Sequence, residues 1–226
     1  MNKKHGFTLA EILITLTVIG VVAALTIPTL LQNTNQAEFK TALKRDFSDL
    51  SQATLQIQND NGGSLVNAFR NGAGGNLDSE NLKNAFKGKL SYLKDCSGIS
   101  GHGGTGNGAS TEGCWHTANN WKRLNGTLLG NYVLPGLILS NGTLISMAIE
   151  SSTCQYSFGF TSGIYRCGII DIDVNGFKPP NTIGKDIFTF SLIESELIPN
   201  GAKGTFNGDC TPSGMGYSCT ALYLYQ

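Results

Sequence analysis

The distribution of apolar side chains divides the chain into stretches of different character. From Phe7 to Leu31 it reads FTLAEILITLTVIGVVAALTIPTLL, 25 residues in which Glu11 is the one charge. At 1.5 Å per residue such a helix reaches ~37 Å, enough to cross a bilayer core of roughly 30 Å. Over 32–60 the pattern changes. Phe39, Leu43, Phe47, Leu50, Thr54 and Ile57 recur at steps of three or four, while Glu38, Lys44, Arg45 and Asp49 lie off that stripe. This period predicts an amphipathic continuation of the helix, ended by QNDNGG and packed along one face.

A shorter helix is predicted over 78–94, capped by Asp78 or Ser79 and apolar at Leu82, Phe86, Leu90 and Leu93. Beyond Trp115 the alternation turns to strands. LILSNGTLISMAI reads as a hairpin with Asn141-Gly142 at its tip, GIYRCGIIDIDV and DIFTFSLI as further strands, and TALYLYQ as another. The expected fold class is α+β: a long N-terminal helix, half membrane and half amphipathic, on a small antiparallel sheet. The expected segments are 7–31 for the membrane helix, 32–60 for its amphipathic continuation and 61–226 for a globular domain.

Composition adds two constraints. Charged residues make up 14%, with 16 basic against 16 acidic, so no bulk electrostatic attraction for nucleic acid exists. Glycine clusters in 62–75 and 98–108 predict loops there. The six cysteines, Cys96, Cys114, Cys154, Cys167, Cys210 and Cys219, all lie beyond residue 95, and none forms a C-x-x-C pair. That distribution suits disulfides better than zinc, because an N-terminal membrane segment directs the chain beyond it toward an oxidising compartment. Fifteen pairings are open to six cysteines. Pairing of chain neighbours, 96–114, 154–167 and 210–219, is expected, because each bridge then closes a loop that contains glycine or turn residues.

Lys3 and Lys4 precede the apolar run and Lys40 is the first basic residue after it, so the N-terminus stays cytoplasmic and the rest faces outward. A cleaved signal peptide, with VAA at 22–24 as its cut, leaves Glu11 interrupting the apolar core and the run continuing past the cut. A plain anchor leaves Glu11 unexplained, although a charge in a membrane helix costs about 2.5–3.5 kcal/mol at the centre and less near an end. Pro28 lacks an N–H and its ring crowds the carbonyl of Ala24, which predicts a kink or break.

The stretch KKHGFTLAEILITLTVIGVVAALTIPTLL closely resembles the N-terminus of type IV prepilins and the pseudopilins of type II secretion. The shared elements are Lys3, Lys4, Gly6, Phe7, Thr8, Leu9 and Glu11, and the resemblance covers about 30 residues. It implies a leader, residues 1–6, cut by a prepilin peptidase between Gly6 and Phe7, with N-methylation of the new Phe7 amine. It further implies filament assembly through the apolar helix, with Glu11 neutralising the Phe7 ammonium of a neighbouring subunit. Burying a carboxylate is tolerable when such a partner is well placed. Unwinding between Gly20 and Pro28 on assembly is a further implication.

The resemblance makes the expected function structural. A type II secretion pseudopilin is the first reading. A type IV pilin for adhesion, motility or DNA uptake is the second, and a tip-located binding module presenting the 96–114 or 210–219 loop the third. The implied partners are other pilin-like subunits, the peptidase, an inner-membrane assembly platform and lipid before assembly. The implied location is the bacterial inner membrane, single-pass, with the C-terminal domain outside the cytoplasm.

Other candidate chemistry is thinner. DIDVNG at 171–176 places Asp171, Asp173 and Asn175 as an EF-hand loop begins, with Gly176 at the sixth place. The twelfth place is Thr182 rather than glutamate, and Asp186 is the substitute ligand a variant calcium site would use; some pseudopilins carry calcium in their C-terminal loops. The plainer alternative makes Asp171 and Asp173 the solvent face of a strand, followed by a turn. GHGGTGNG at 101–108 lacks the Lys-Ser/Thr of a phosphate loop. His102, His116 and Cys114 show no metal-ligand spacing, and His5 lies in the leader. No G-x-S-x-G or H-E-x-x-H occurs, and no enzymatic activity is expected.

Overall fold

The computed structural model describes residues 7–70, 76–96, 113–130, 134–156, 165–202, 205 and 208–225. The leader with His5 and Gly6, the 98–108 glycine cluster and His102 lie outside them.

Helix α1, Leu9–Asp60, is 52 residues long and contains Pro28. It continues through the proline, so the predicted break is absent. The chain divides into two units, one ending at Glu38 and one beginning at Phe39. The amphipathic half of α1 from Phe39 onward is thus part of the globular unit, against which its apolar stripe is expected to pack. In the first unit Leu9–Pro28 is apolar and long enough to cross a membrane, and none of it is buried. Its hydroxyls bond within the helix: Thr15 donates to the Ile12 carbonyl, Thr17 to Leu13 and Thr26 to Val22. A hydroxyl satisfied by its own backbone is tolerable in hydrocarbon, where water is absent.

The second unit holds α2 (Val66–Phe69), α3 (Asn76–Lys87), α4 (Cys219–Tyr225) and six strands. These are β1 (Tyr92–Cys96), β2 (Gly136–Leu139), β3 (Leu144–Ile149), β4 (Gly168–Asp173), β5 (Ile187–Leu192) and β6 (Leu197–Pro199). The sheet is an antiparallel meander in chain order, β1 to β6. The β2–β3 turn has Gly142 at φ 91°, in the left-handed region that glycine enters without strain.

Strand period two sends alternate residues to opposite faces. On one face Leu137, Ile145, Met147, Ile170, Ile172, Phe188 and Phe190 form the main core. Against it α1 lays Phe39, Leu43, Leu50, Ala53 and Ile57, with Phe47 stacked on Phe190 at 5.5 Å. Asp46 also faces inward and is fully buried. The second face is covered too, by Trp115, Trp121, Leu129 and Ile183 over Leu144 and Ile187.

Two predicted elements differ. The 78–94 helix ends at Lys87, and Tyr92–Cys96 pairs instead with β2 as the edge strand. The Lys89 and Leu90 amides still donate to the Phe86 carbonyl, so the helix closes in a turn before the strand begins. Of TALYLYQ, the residues Thr220 to Tyr225 lie in helix α4, not a strand. Seven residues of mixed apolar pattern fit either period. Here the Ala221 amide bonds the Asn200 carbonyl and Tyr223 packs on Phe188 at 5.4 Å, which docks the segment across the sheet end.

Candidate functional site

The helix start is built by two residues. The Thr8 amide and hydroxyl donate to Glu11 Oε2 at 2.7 and 2.8 Å, and the Glu11 amide donates to Thr8 Oγ1 at 3.3 Å. This is a reciprocal capping box, with Thr8 as N-cap and Glu11 at the third helical position. T-x-x-E before an apolar run is its signature, yet the sequence reading gave Glu11 an intersubunit role alone. The carboxylate is thereby fixed against the amide that joins Thr8 to Phe7, and Phe7 itself is 85% exposed. Gly20 faces open space, with no atom within 4 Å of where a Cβ would stand.

The cysteines form Cys96–Cys114, Cys154–Cys167 and Cys210–Cys219. The last closes a loop organised by Asp209, whose carboxylate accepts the amides of Ser218 at 2.7 Å and Tyr217 at 3.1 Å. Gly216, at φ 93°, lets this loop lie on the sheet's second face, since a Cβ there would stand 2.5 Å from the Ile183 carbonyl oxygen. Beside the loop an open groove of about 460 Å³ is lined by Thr211, Leu222 and Tyr225 among others.

The calcium reading of 171–176 meets a different arrangement. Asp171 and Asp173 are buried, not a solvent face, because the second face of the sheet is covered. Asp171 accepts the Thr189 hydroxyl at 2.6 Å. Asp173 accepts the Asn175 amide through Oδ1 and meets His116 Nε2 at 2.8 Å through Oδ2. Asp186 takes the amides of Asn181 and Thr182 at 2.8 and 2.7 Å, and Asn175 donates its side-chain amide to the Pro179 carbonyl. Each of the four side chains thus has an internal hydrogen-bond partner, while Asp186 also bonds Asn175 and acts on Asp173 through its charge. Among the described residues no three His, Cys, Asp or Glu side chains group as a metal ion would require. Cys114 is in a disulfide and His116 faces Asp173, which separates that pair as well.

Burial dominates the electrostatics here. It pushes Asp171 up to about 6, and it holds His116 down to about 4. Asp173 is raised by burial and then by the charge of Asp186, which is itself raised by burial. Where an exposed pair would ionise, burial favours a His116–Asp173 contact that shares one proton and carries no net charge. Asp46 is likewise raised by burial, and it accepts from Asn141 Nδ2 at 2.9 Å and Thr143 Oγ1 at 2.7 Å, tying α1 to the β2–β3 turn. These carboxylates are struts between layers.

No curated protein and no solved structure matches the chain. Residues 1–27 match the prokaryotic N-terminal methylation motif. That segment is the signature of type IV pilins and pseudopilins, and it ties this chain to the pilin-type subunits at its N-terminus.

Proposed function

We propose that this chain is a structural subunit of a pilus-like filament, matured by a prepilin peptidase and assembled through α1. A type II secretion pseudopilus is the first reading and a type IV pilus the second. The observation that carries the proposal is the methylation motif placed on a helix whose apolar side chains are exposed from end to end of Leu9–Pro28. Such a surface needs lipid before assembly and other helices after it. Glu11 then meets the Phe7 ammonium of a neighbour, which fixes subunit register, because a slipped neighbour leaves two charges unpaired in an apolar bundle.

The test is an intact mass of the protein from membranes of cells with and without the peptidase. The proposal expects loss of residues 1–6, a gain of about 14 Da for one methyl group and a deficit of about 6 Da that reduction restores, in peptidase-positive cells. A chain beginning near Leu25 would instead identify a secreted soluble domain and overturn the filament reading.

A further inference from the structure

The chain is neutral in sum, yet the second unit carries opposite charge at its two ends. Its direction can be taken along α1 from Phe39 to Asp60. The early end lies beside the β2–β3 turn, because Asp46 holds Asn141 and Thr143. Register places Asp173, where β4 ends, and Ile187, where β5 begins, level with Leu144 beside that turn. The Gly142 carbonyl oxygen would stand 3.0 Å from a Cβ on Gly176, so the 174–186 connection shares this end. Lys44, Arg45, Lys178 and Lys185 are exposed there, Arg45 while paired with the buried Asp46, and Asp49 is an exposed anion one turn further along α1.

The late end lies beside the β5–β6 turn. Gln58 Nε2 and the Leu65 amide both donate to the Glu194 carbonyl, and Ser64 donates to the Glu194 carboxylate. Asp60, Glu194 and Glu196 are exposed at this end; among the described residues its exposed cations are Arg70 and Lys89, and Lys89 pairs with Asp60.

Subunits drawn from one membrane share one polarity. Parallel copies that meet end to end must therefore join a late end to an early end, a heterologous contact that repeats without closing. We propose that the acidic β5–β6 turn of one subunit, Glu194 to Glu196, docks on the basic early end, Lys44, Arg45, Lys178 and Lys185, of a second copy. The proposal rests on the filament reading and adds the surface and polarity of the contact between globular units. Opposite charge across such a contact guides encounter and excludes the reversed orientation, which would place like charge on like.

The test uses the full chain in cells that carry its assembly machinery, with sheared filament yield as the readout. Glu194→Lys with Glu196→Lys, and separately Lys178→Glu with Lys185→Glu, are each expected to lower yield at least about ten-fold, and the four changes together to restore it. All four positions are exposed, so folding is checked by membrane level and by the mass deficit of three disulfides. Wild-type yield from both paired variants would overturn the proposal and leave the filament reading standing. Loss in both without restoration by the combination would overturn it too, since the two surfaces are then not partners. Absence of filaments from the wild-type chain would remove the filament reading itself, and this proposal with it.

Discussion

Replacing Asp171 with asparagine isolates one buried charge. Asp171 sits in the middle of the sheet's second face, level with Ser146 on β3 and Thr189 on β5, and all three are buried. Burial raises its pKa to about 6 from an ordinary 3.8, with the Thr189 hydroxyl and the Arg166 charge acting in the other direction. A folded state that holds its proton more tightly than the unfolded chain is favoured below the unfolded value and loses that advantage as pH rises through the folded one. Across the whole titration, from below pH 4 to pH 7, the wild type should therefore lose on the order of 3 kcal/mol through this residue alone, about 2 kcal/mol of it between pH 4 and pH 6, since one pKa unit is about 1.4 kcal/mol. Asp171→Asn keeps an oxygen for Thr189 and carries no charge at any pH. The variant should come within about 0.5 kcal/mol of the wild type near pH 4 and exceed it by about 3 kcal/mol near pH 7. Asp46, Asp173 and Asp186 are raised as well and tilt the wild-type curve in the same direction, so the quantity to read is the difference between the two proteins. Chemical unfolding in detergent micelles from pH 4 to 7.5, followed by near-ultraviolet dichroism of Trp115 and Trp121, supplies it. A difference that stays constant across the range, or grows toward acid, refutes the reasoning.

Three further outcomes are expected. Asp46→Ala should lower the stability of the globular unit by about 2 kcal/mol at pH 7, because the buried Thr143 hydroxyl and the Asn141 amide lose their acceptor, and denaturant midpoints measure it. At the N-terminus, Thr8→Ala should speed hydrogen exchange of the first-turn amides about five-fold, for a lost cap of ~1 kcal/mol. Glu11→Gln should leave that exchange near wild type, since an amide oxygen still accepts the Thr8 amide, while filament yield falls. Equal loss of capping and assembly in Glu11→Gln would mean that the carboxylate serves the helix start rather than a neighbour.

Much of this architecture is legible in the chain because period and burial coincide. The stripe from Phe39 to Ile57, the Asn141-Gly142 turn and the two central strands each arise from side chains that one face must hide. What escaped reading depends on layers that do not adjoin in sequence. Alternation in DIDVNG marks two faces but not whether the polar one meets water, and here Trp115, Trp121 and Ile183 cover it. Asp46 occupies a core position at helical spacing from Leu43 and Leu50, and the Arg45 guanidinium together with partners across the chain, Asn141 and Thr143, makes that tolerable. The Thr8–Glu11 box was readable as T-x-x-E, but a single charge in an apolar run points first to partners outside the chain.

The bridges join each cysteine to its next neighbour along the chain, within a sheet whose strands also neighbour in chain order. On the proposed filament reading, this bears on how the domain is oxidised during export. A polypeptide threaded across a membrane from one end presents its thiols in sequence, and an oxidase that joins whichever two have most recently emerged produces the native set directly. No bridge has to wait for a distant segment, and none has to be broken and remade, so exchange through mixed disulfides is not required to reach the final pattern. Formation of the three bridges should accordingly depend on a thiol oxidant and be indifferent to a disulfide isomerase.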